Sequence, residues 1–297
     1  MDQELMIREE DLRKFKIKRT LGNIGIYTFL VIFAIFIIIP FYWMFATALR
    51  TEAELQSTSI SFFPKEWLFS NFNSAIEYAA NRGANFFKFY FNTIWVGLLT
   101  TAGTMITTIL SAFAFARLNF KGKDALFSLF LATMMIPGEI FVITNYTTIA
   151  SLELKNTYTA LVIPFMVSVF YIYFLRQTFK QIPDELYFAA KVDGTSDFKY
   201  LWKVMIPMAK STLTSILILS MMGTWNAYVW PNLVASDNDM LLVSNGLLSI
   251  YRDTDGTGTI ISLQMAAAVL VTVPLIIVFL VLRKQIMNGV SRGGLKG

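Results

Sequence analysis

Apolar residues gather along this chain into six runs of membrane length. They cover roughly residues 24–48, 92–116, 125–149, 157–175, 208–231 and 260–282. A hydrocarbon layer about 30 Å thick takes about 20 apolar residues to cross as a helix. Helix is the required conformation, because an open strand would leave its backbone N–H and C=O groups unpaired in lipid. The pattern predicts an all-α polytopic membrane protein with six transmembrane helices. Two runs are interrupted: Glu139 breaks the third, and Trp225, Asn226 and Pro231 make the end of the fifth irregular.

Between the fourth and fifth runs the pattern changes. Residues 183–207 read PDELYFAAKVDGTSDFKYLWKVMIP, polar and punctuated like helices. Pro183 and Asp184 read as a helix start, with Asp184 as a cap and Glu185 well placed in the first turn. Nothing in ELYFAAKV breaks a helix. Asp193-Gly194 stops it, since glycine tolerates the left-handed conformation that a helix end often needs. Thr195, Ser196 and Asp197 offer a second cap, FKYLWKVM a second short helix, and Pro207 falls where the next membrane helix begins. Each piece is about two turns, too short to stand alone in water. Something must pack against it. Ala189 and Ala190 make a small-residue face open to close approach by another backbone. Tyr187 and Phe188 either tuck beneath the chain's own bundle or dock a cytoplasmic partner, and composition leaves both readings open.

Charge orients the runs. Lys and Arg accumulate in cytoplasmic loops. With the N-terminus inside, the inner segments hold 19 of the 25 Lys and Arg, and the outer loops hold six. Both the N- and C-termini are then cytoplasmic, and residues 183–207 face the cell interior. The expected layout is a cytoplasmic N-terminal segment (1–23), a transmembrane domain (24–283) with a cytoplasmic loop at about 177–207, and a basic cytoplasmic tail (284–297). The run at 24–49 is too long for a signal-peptide core and lacks a small-residue cleavage site, so it reads as a span that is kept. Outside, residues 50–91 are rich in aromatics and fit an interfacial layer or a short helix lying flat. Residues 232–259 read as a polar outer loop.

Composition narrows the chemistry. Of 297 residues, 55% are apolar and 15% charged, which fits an integral membrane protein and not a soluble domain. There is no Cys and no His. That removes disulfides, Cys/His metal sites, thiol nucleophiles and Ser-His-Asp arrangements. The net charge of +5 is modest and is no nucleic-acid footprint. No GxxxxGK[ST] phosphate loop is present, and the glycines of TDGTG (254–258) lack the lysine. ATP hydrolysis is therefore not expected of this chain. A membrane-embedded hydrolase would lack a carboxylate pair. An ion-coupled carrier would want paired intramembrane charges and internal symmetry, and only Glu139 is on offer.

A charge at mid-bilayer costs at least about 2.5–3.5 kcal/mol, so Glu139 should face protein or a wet cavity. It either lines a path for hydroxylated solute or is paired at an interface. Pro137-Gly138 can bend the helix before it. Asn145 and Tyr146 in the third run, and Trp225, Asn226, Tyr228 and Trp230 in the fifth, could hold sugar rings or form an interfacial belt. Gln264 suits an interhelical hydrogen bond. Ser111, Ala112, Ala114 and Ala116 read as a close-packing face.

Ala189, Ala190, Asp193, Gly194, Ile206 and Pro207 together resemble the EAA loop of ATP-binding-cassette (ABC) importer permeases. The segments PFYWMFATALR (40–50), FNTIWVG (91–97), SAFAFARLNFKGK (111–123), MMIPGEIF (134–141), NTYTALVIPF (156–165), FLRQTFKQIPDEL (174–186), WNAYVWP (225–231) and GLKG (294–297) extend the resemblance over nearly the whole chain. They are similar to the maltose-type carbohydrate permeases, above all the smaller, six-helix member of the pair. The resemblance implies an ABC type I importer permease fold in a bacterial inner membrane. It implies a second homologous permease, with which the chain forms the path for a sugar or oligosaccharide. It also implies two ABC ATPase subunits, which bind the ATP and Mg that this chain does not, and an extracytoplasmic solute-binding protein. Coupling to the ATPase would fall on Glu185, Tyr187, Phe188, Ala189, Ala190, Asp193, Gly194 and Pro207. The candidate translocation path comprises Glu139, Asn145, Asn226, Tyr228 and Gln264. Another small solute, such as a polyol, glycoside or phosphate ester, stays open as cargo. One departure stands out: the resembled loop usually carries Glu where this chain has Phe188, which implies docking mainly by apolar burial.

Overall fold

The computed structural model describes residues 2–57, 61–251 and 260–291, with side chains from residue 14 to residue 283 of those stretches. Among them every regular element is helical: α1 (Asp2–Ala48), α2 (Glu52–Leu55), α3 (Ser70–Asn81), α4 (Phe86–Arg117), α5 (Lys123–Thr133), α6 (Phe141–Ser151), α7 (Tyr158–Val162), α8 (Val169–Lys180), α9 (Asp184–Val192), α10 (Asp197–Tyr200), α11 (Ile206–Met208), α12 (Lys210–Trp225), α13 (Val229–Val234), α14 (Val243–Tyr251) and α15 (Ile261–Ser291). The motif GLKG and the glycines at 254–258 lie outside the described residues.

Among the described residues three helices are long and apolar enough to cross a membrane: 14–48 within α1, all of α4, and 261–283 within α15. The other three apolar runs are bent pairs. Residues 123–133 and 138–151 meet at 75°, residues 158–165 and 169–180 at 46°, and residues 197–208 and 210–225 at 81°. Pro137, at the first break, has no N–H to give and disfavours helix in the residue before it. A one-residue break at Ala209, off helical geometry at φ −92° and ψ 12°, separates α11 from α12. The fifth apolar run, expected over 208–231, is thus divided. Its helix starts at Lys210 and stops at Trp225, and Pro231 belongs to the separate α13.

The described residues form two compact units. One takes the chain up to residue 73 together with 260–269; the other takes 74–251 and 270–291. In the first unit, the apolar side chains of α1 from Ile24 to Phe36 are exposed, so their cover must come from lipid or another chain. Past α1 the chain is pinned. Arg50 is fully buried, pairs with Glu54 at 3.2 Å, and lies 4.9 Å from the Trp43 ring. Glu54 also accepts from Lys65 N at 3.1 Å, and Asn71 Nδ2 donates to the carbonyls of Ala48 and Arg50. Several partners on each side make such a burial tolerable. Phe62, Phe63, Trp67 and Phe69 remain exposed.

In the second unit, α4 packs along α8 and α12. Close approach needs a small residue: a Cβ on Gly103 would lie 2.6 Å from Met166 Cγ. Hydroxyls join the helices. Thr101 donates to Ser220 at 3.0 Å, Thr104 to the carbonyl of Phe165 at 3.0 Å, and Thr107 to that of Met166 at 2.6 Å. Neutral donors meeting carbonyls are the polar contacts that an apolar bundle tolerates best. Ala112 is fully buried in a cluster with Leu175, Phe179, Tyr200, Leu201, Met205 and Ile216.

Candidate functional site

The polar segment folds as helix, glycine turn, helix. α9 ends at Asp193, and Gly194 adopts φ +69°. The turn closes with Gly194 N on Lys191 O (3.1 Å) and Thr195 N on Ala190 O (2.8 Å). Ser196 then caps α10 by accepting from Lys199 N at 3.3 Å. A π-helical turn (Leu201–Met205) follows, then α11 with Pro207 in its first turn.

The start of α9 differs from the sequence expectation. Pro183 occupies the cap position and no side chain caps the helix. Asp184 is the first helical residue, and its carboxylate pairs with Arg117. Arg117, at the C-terminal end of α4, is a three-way clamp. Its guanidinium donates to Asp184 and to the carbonyls of Phe179 (2.9 Å) and Ile182. Its side chain is 3% exposed while that of Asp184 is 69% exposed. The clamp joins α4 to the end of α8 and to the first turn of α9. Nothing in the motif spacing pointed to it.

Helical spacing decides which side chains of α9 face inward. Tyr187 and Ala190, three apart, pack on the cluster around Phe179 and Tyr200. The rings of Tyr187 and Tyr200 meet edge-to-face at 5.2 Å. Tyr187 Oη donates to Asp197 at 2.7 Å, and Lys191 Nζ lies 2.7 Å from the same carboxylate. This triad ties the two short helices together across the turn. The hydrogen bonds from Lys191 and then Tyr187 hold the Asp197 carboxyl below its usual range. The Asp197 contact pushes Lys191 up. Burial, and then the bond to Asp197, pushes the Tyr187 hydroxyl up.

The opposite face is open. Glu185, Phe188, Ala189 and Val192 are exposed on α9, as are Asp193, Gly194 and Pro207. Phe188 is 63% exposed and Val192 88%, and Phe198 (62%) and Trp202 (54%) continue the apolar surface. The two aromatics that composition left ambiguous have opposite fates: Tyr187 tucks under the bundle and Phe188 points away.

The path candidates are scattered. Glu139 sits in a 3₁₀ turn (Gly138–Ile140) at the 75° break and is exposed, as is Asn145 on α6. Asn226 is exposed and turns its amide back to Met222 O at 2.9 Å. Tyr228 is 38% exposed. Gln264 is half-buried in the first unit. Trp230 is buried, with Nε1 donating to Ala160 O at 2.9 Å, and packs in a cluster with Val96, Ile149, Leu161 and Val234.

None of those five lines the cavity of about 360 Å³ in the second unit. Its walls come from α4, α8 and α12, with Phe165, Trp230 and Leu242 completing them, and Thr100, Thr104, Ser168, Ser220 and Thr224 put hydroxyl side chains on it. Among the described residues no group of three or more acidic residues could hold a metal ion. Sequence reasoning named none of these hydroxyl residues, since they converge only when helices distant in sequence pack together.

Residues 106–292 match the family described as "Binding-protein-dependent transport system inner membrane component". The chain is 28% identical over 277 residues to the arabinooligosaccharides transport system permease protein AraQ of Bacillus subtilis (strain 168), covering 93% of this chain and 96% of that one. It is 29% identical over 262 residues to the sn-glycerol-3-phosphate transport system permease protein UgpE of Yersinia pestis bv. Antiqua (strain Antiqua), covering 88% and 92%. Its fold matches a chain in the crystal structure of a bacterial ABC transporter involved in the import of the acidic polysaccharide alginate, with a TM-score of 0.75 at 23% identity, over 90% of this chain and 96% of that chain.

Proposed function

This chain belongs to the family of binding-protein-dependent transport system inner membrane components, and from that premise we propose that it is one permease subunit of an ATP-driven sugar importer. In this reading the six apolar runs are six spans, with both termini cytoplasmic, in a bacterial inner membrane. A second, homologous permease completes the path. Two ABC ATPases supply the hydrolysis and hold ATP and Mg. An extracytoplasmic binding protein delivers a sugar or oligosaccharide.

The observation that carries the reading is the segment from α9 to α11. It is stiffened from within by the Tyr187–Asp197–Lys191 triad and held to α4 by Arg117. Outward it presents Phe188, Val192, Phe198 and Trp202. Exposed apolar side chains of that size, on a segment tied down by ion pairs, are what an interface core supplies. Glu185, Ala189, Asp193, Gly194 and Pro207 frame the same surface and complete the coupling set with Tyr187 and Ala190 behind it. Glu139, Asn145, Asn226 and Tyr228, exposed in this chain, are placed on the path shared with the second permease, and Gln264 is retained with them.

The test is reconstitution. The chain purified in detergent should bring down a homologous permease and a nucleotide-binding subunit. The assembled complex in vesicles should accumulate sugar only with ATP and binding protein. Accumulation of solute or hydrolysis of ATP by the isolated chain would defeat the reading. A second cargo class has one observation in its favour, the 29% identity to a permease named for sn-glycerol 3-phosphate. Uptake of a phosphate ester in place of sugar would select it.

A further inference from the structure

The cavity between α4, α8 and α12 has a wall chemistry that is selective. Its volume of about 360 Å³ falls at the small end of ligand pockets, which run from roughly 300 to 1,000 Å³. None of its lining residues is Asp, Glu, Lys or Arg. Thr100 is 5% exposed, lines the cavity, and its Oγ1 has no hydrogen-bond partner. Some helix hydroxyls in this unit satisfy themselves on the preceding turn: Thr93 on Phe89 O (2.7 Å) and Ser215 on Ser211 O (3.1 Å). Thr100 and Thr108 do not, and of these two only Thr100 lines the cavity. A buried hydroxyl left open beside a cavity is a group that a ligand or water must complete. Thr104 and Thr224 spend their donors on the carbonyls of Phe165 and Ser220; each keeps acceptor capacity. Trp230 and Phe165 meet edge-to-face at 6.0 Å and supply rigid aromatic wall, with Tyr171 beside them.

We propose that this cavity binds one ring of an uncharged sugar within the permease subunit itself, and that it rejects anionic sugars and phosphate esters. The inference rests on the importer reading and deepens it. A sugar ring has hydroxyls to complete Thr100 and a C–H face to lie against aromatic side chains. A carboxylate or phosphate would be desolvated here with no counter-charge, which is costly.

Gly223 offers a direct test. It lines the cavity, and a Cβ added there meets nothing within 4 Å, so Gly223→Leu can start without a clash and place its side chain in the space. Thr100→Val deletes only the hydroxyl, and Thr100→Ser restores it. The assembled transporter without binding protein, in nanodiscs, is probed by saturation-transfer NMR with D-glucose, L-arabinose and sn-glycerol 3-phosphate. The expected result is transfer to at least one of the two sugars and none to glycerol 3-phosphate. The signal falls at least fivefold in Gly223→Leu and Thr100→Val and returns in Thr100→Ser. Recovery of the intact complex checks folding; if Gly223→Leu does not assemble, the Thr100 pair decides. Undiminished signal in the assembled variants, equal signal for glycerol 3-phosphate, or no signal for either sugar overturns the proposal. ATP-driven uptake by the wild-type complex is scored separately. Uptake with an insensitive cavity signal removes the cavity and leaves the importer reading. A hydroxyl-dependent signal without sugar uptake does the reverse.

Discussion

The segment from α9 to α11 and the cavity between α4, α8 and α12 solve opposite problems with opposite chemistry. The segment packs Tyr187 and Ala190 on an apolar cluster, is tied by the partly exposed pairs Arg117–Asp184 and Lys191–Asp197, and leaves Phe188 and Val192 exposed. The cavity carries no charged side chain, and its hydroxyls bond backbone carbonyls (Thr104, Thr224), accept from a backbone N–H (Ser168) or from Thr101 (Ser220), or stay open (Thr100). Near water, ion pairs cost little to form and give direction. Among apolar helices an unpaired charge is expensive, and a hydroxyl on a carbonyl is the affordable polar contact. A surface segment tied by ion pairs and a neutral cavity among helices therefore draw on different residues. Two changes at the segment should break transport without touching the cavity. Two smaller ones should grade the segment's stiffness and its docking face.

The largest effect is expected at the turn. Gly194 holds φ +69°, and a left-handed residue with a branched side chain costs at least about 1–2 kcal/mol. Gly194→Val should abolish ATP-driven uptake in vesicles while membrane insertion, followed by carbonate extraction, stays normal. Wild-type uptake would mean that the turn's geometry carries no coupling.

Arg117→Ala comes next. It strips one charged donor from two carbonyls and from Asp184, and hydrogen bonds to charged groups are worth about 1.5–3 kcal/mol. Uptake should fall roughly tenfold, on the scale of 1.4 kcal/mol per decade, with binding-protein-stimulated ATP hydrolysis falling less. Equal losses in both would make Arg117 a stability residue only. Arg117→Lys should restore part of the coupling, since a lysine reaches the carboxylate but cannot fork to both carbonyls.

Much of the segment was legible in the sequence, because it is built from local rules. Asp193-Gly194 stops a helix and Ser196 starts one whatever surrounds them. The assignment of Tyr187 inward and Phe188 outward was not legible, since adjacent residues on a helix differ by about 100° and composition does not say where the bundle lies. Asp184 was misjudged as a cap because its true partner, Arg117, is 67 residues away in sequence. The bend of the third run announced itself through Pro137-Gly138; the break of the fifth at Ala209 did not, since the irregularity was expected at Trp225, Asn226 and Pro231, and the angles of 75° and 81° depend on packing. The cavity was illegible for the same reason. Thr100, Ser168 and Ser220 converge only after three helices, distant in sequence, come together.

Phe188 sharpens the comparison from the outer face. Its side chain is 63% exposed in this chain, and full burial of a phenylalanine is worth about 1.5–3 kcal/mol. Phe188→Ala should weaken recovery of the ATPase subunit in a detergent pull-down by several-fold to about tenfold, with recovery of the second permease unchanged. Unaltered ATPase recovery would move the docking surface toward Phe198 and Trp202.

The smallest effect is a pH and salt dependence of the triad. The Asp197 carboxyl titrates below its usual range because Lys191 and Tyr187 donate to it. Its contribution to holding α9 against α10 is therefore complete above the ordinary carboxylate range and is lost as pH falls through the lowered value. Lys191 titrates above its usual range, so its contribution is complete below the ordinary lysine value and fades as pH rises through the raised one. Between those limits the segment should be uniformly stiff, with a plateau across neutral pH and softening toward acid. Lys191 and Asp197 are partly exposed, so the effect is modest and screened by salt. Limited proteolysis of the 184–200 segment in the assembled transporter reads it directly. Cleavage should rise toward acid pH in the wild type and be higher, and flat over that range, in Asp197→Asn. An acid limb that persists unchanged in Asp197→Asn would show that the triad does not set the softening.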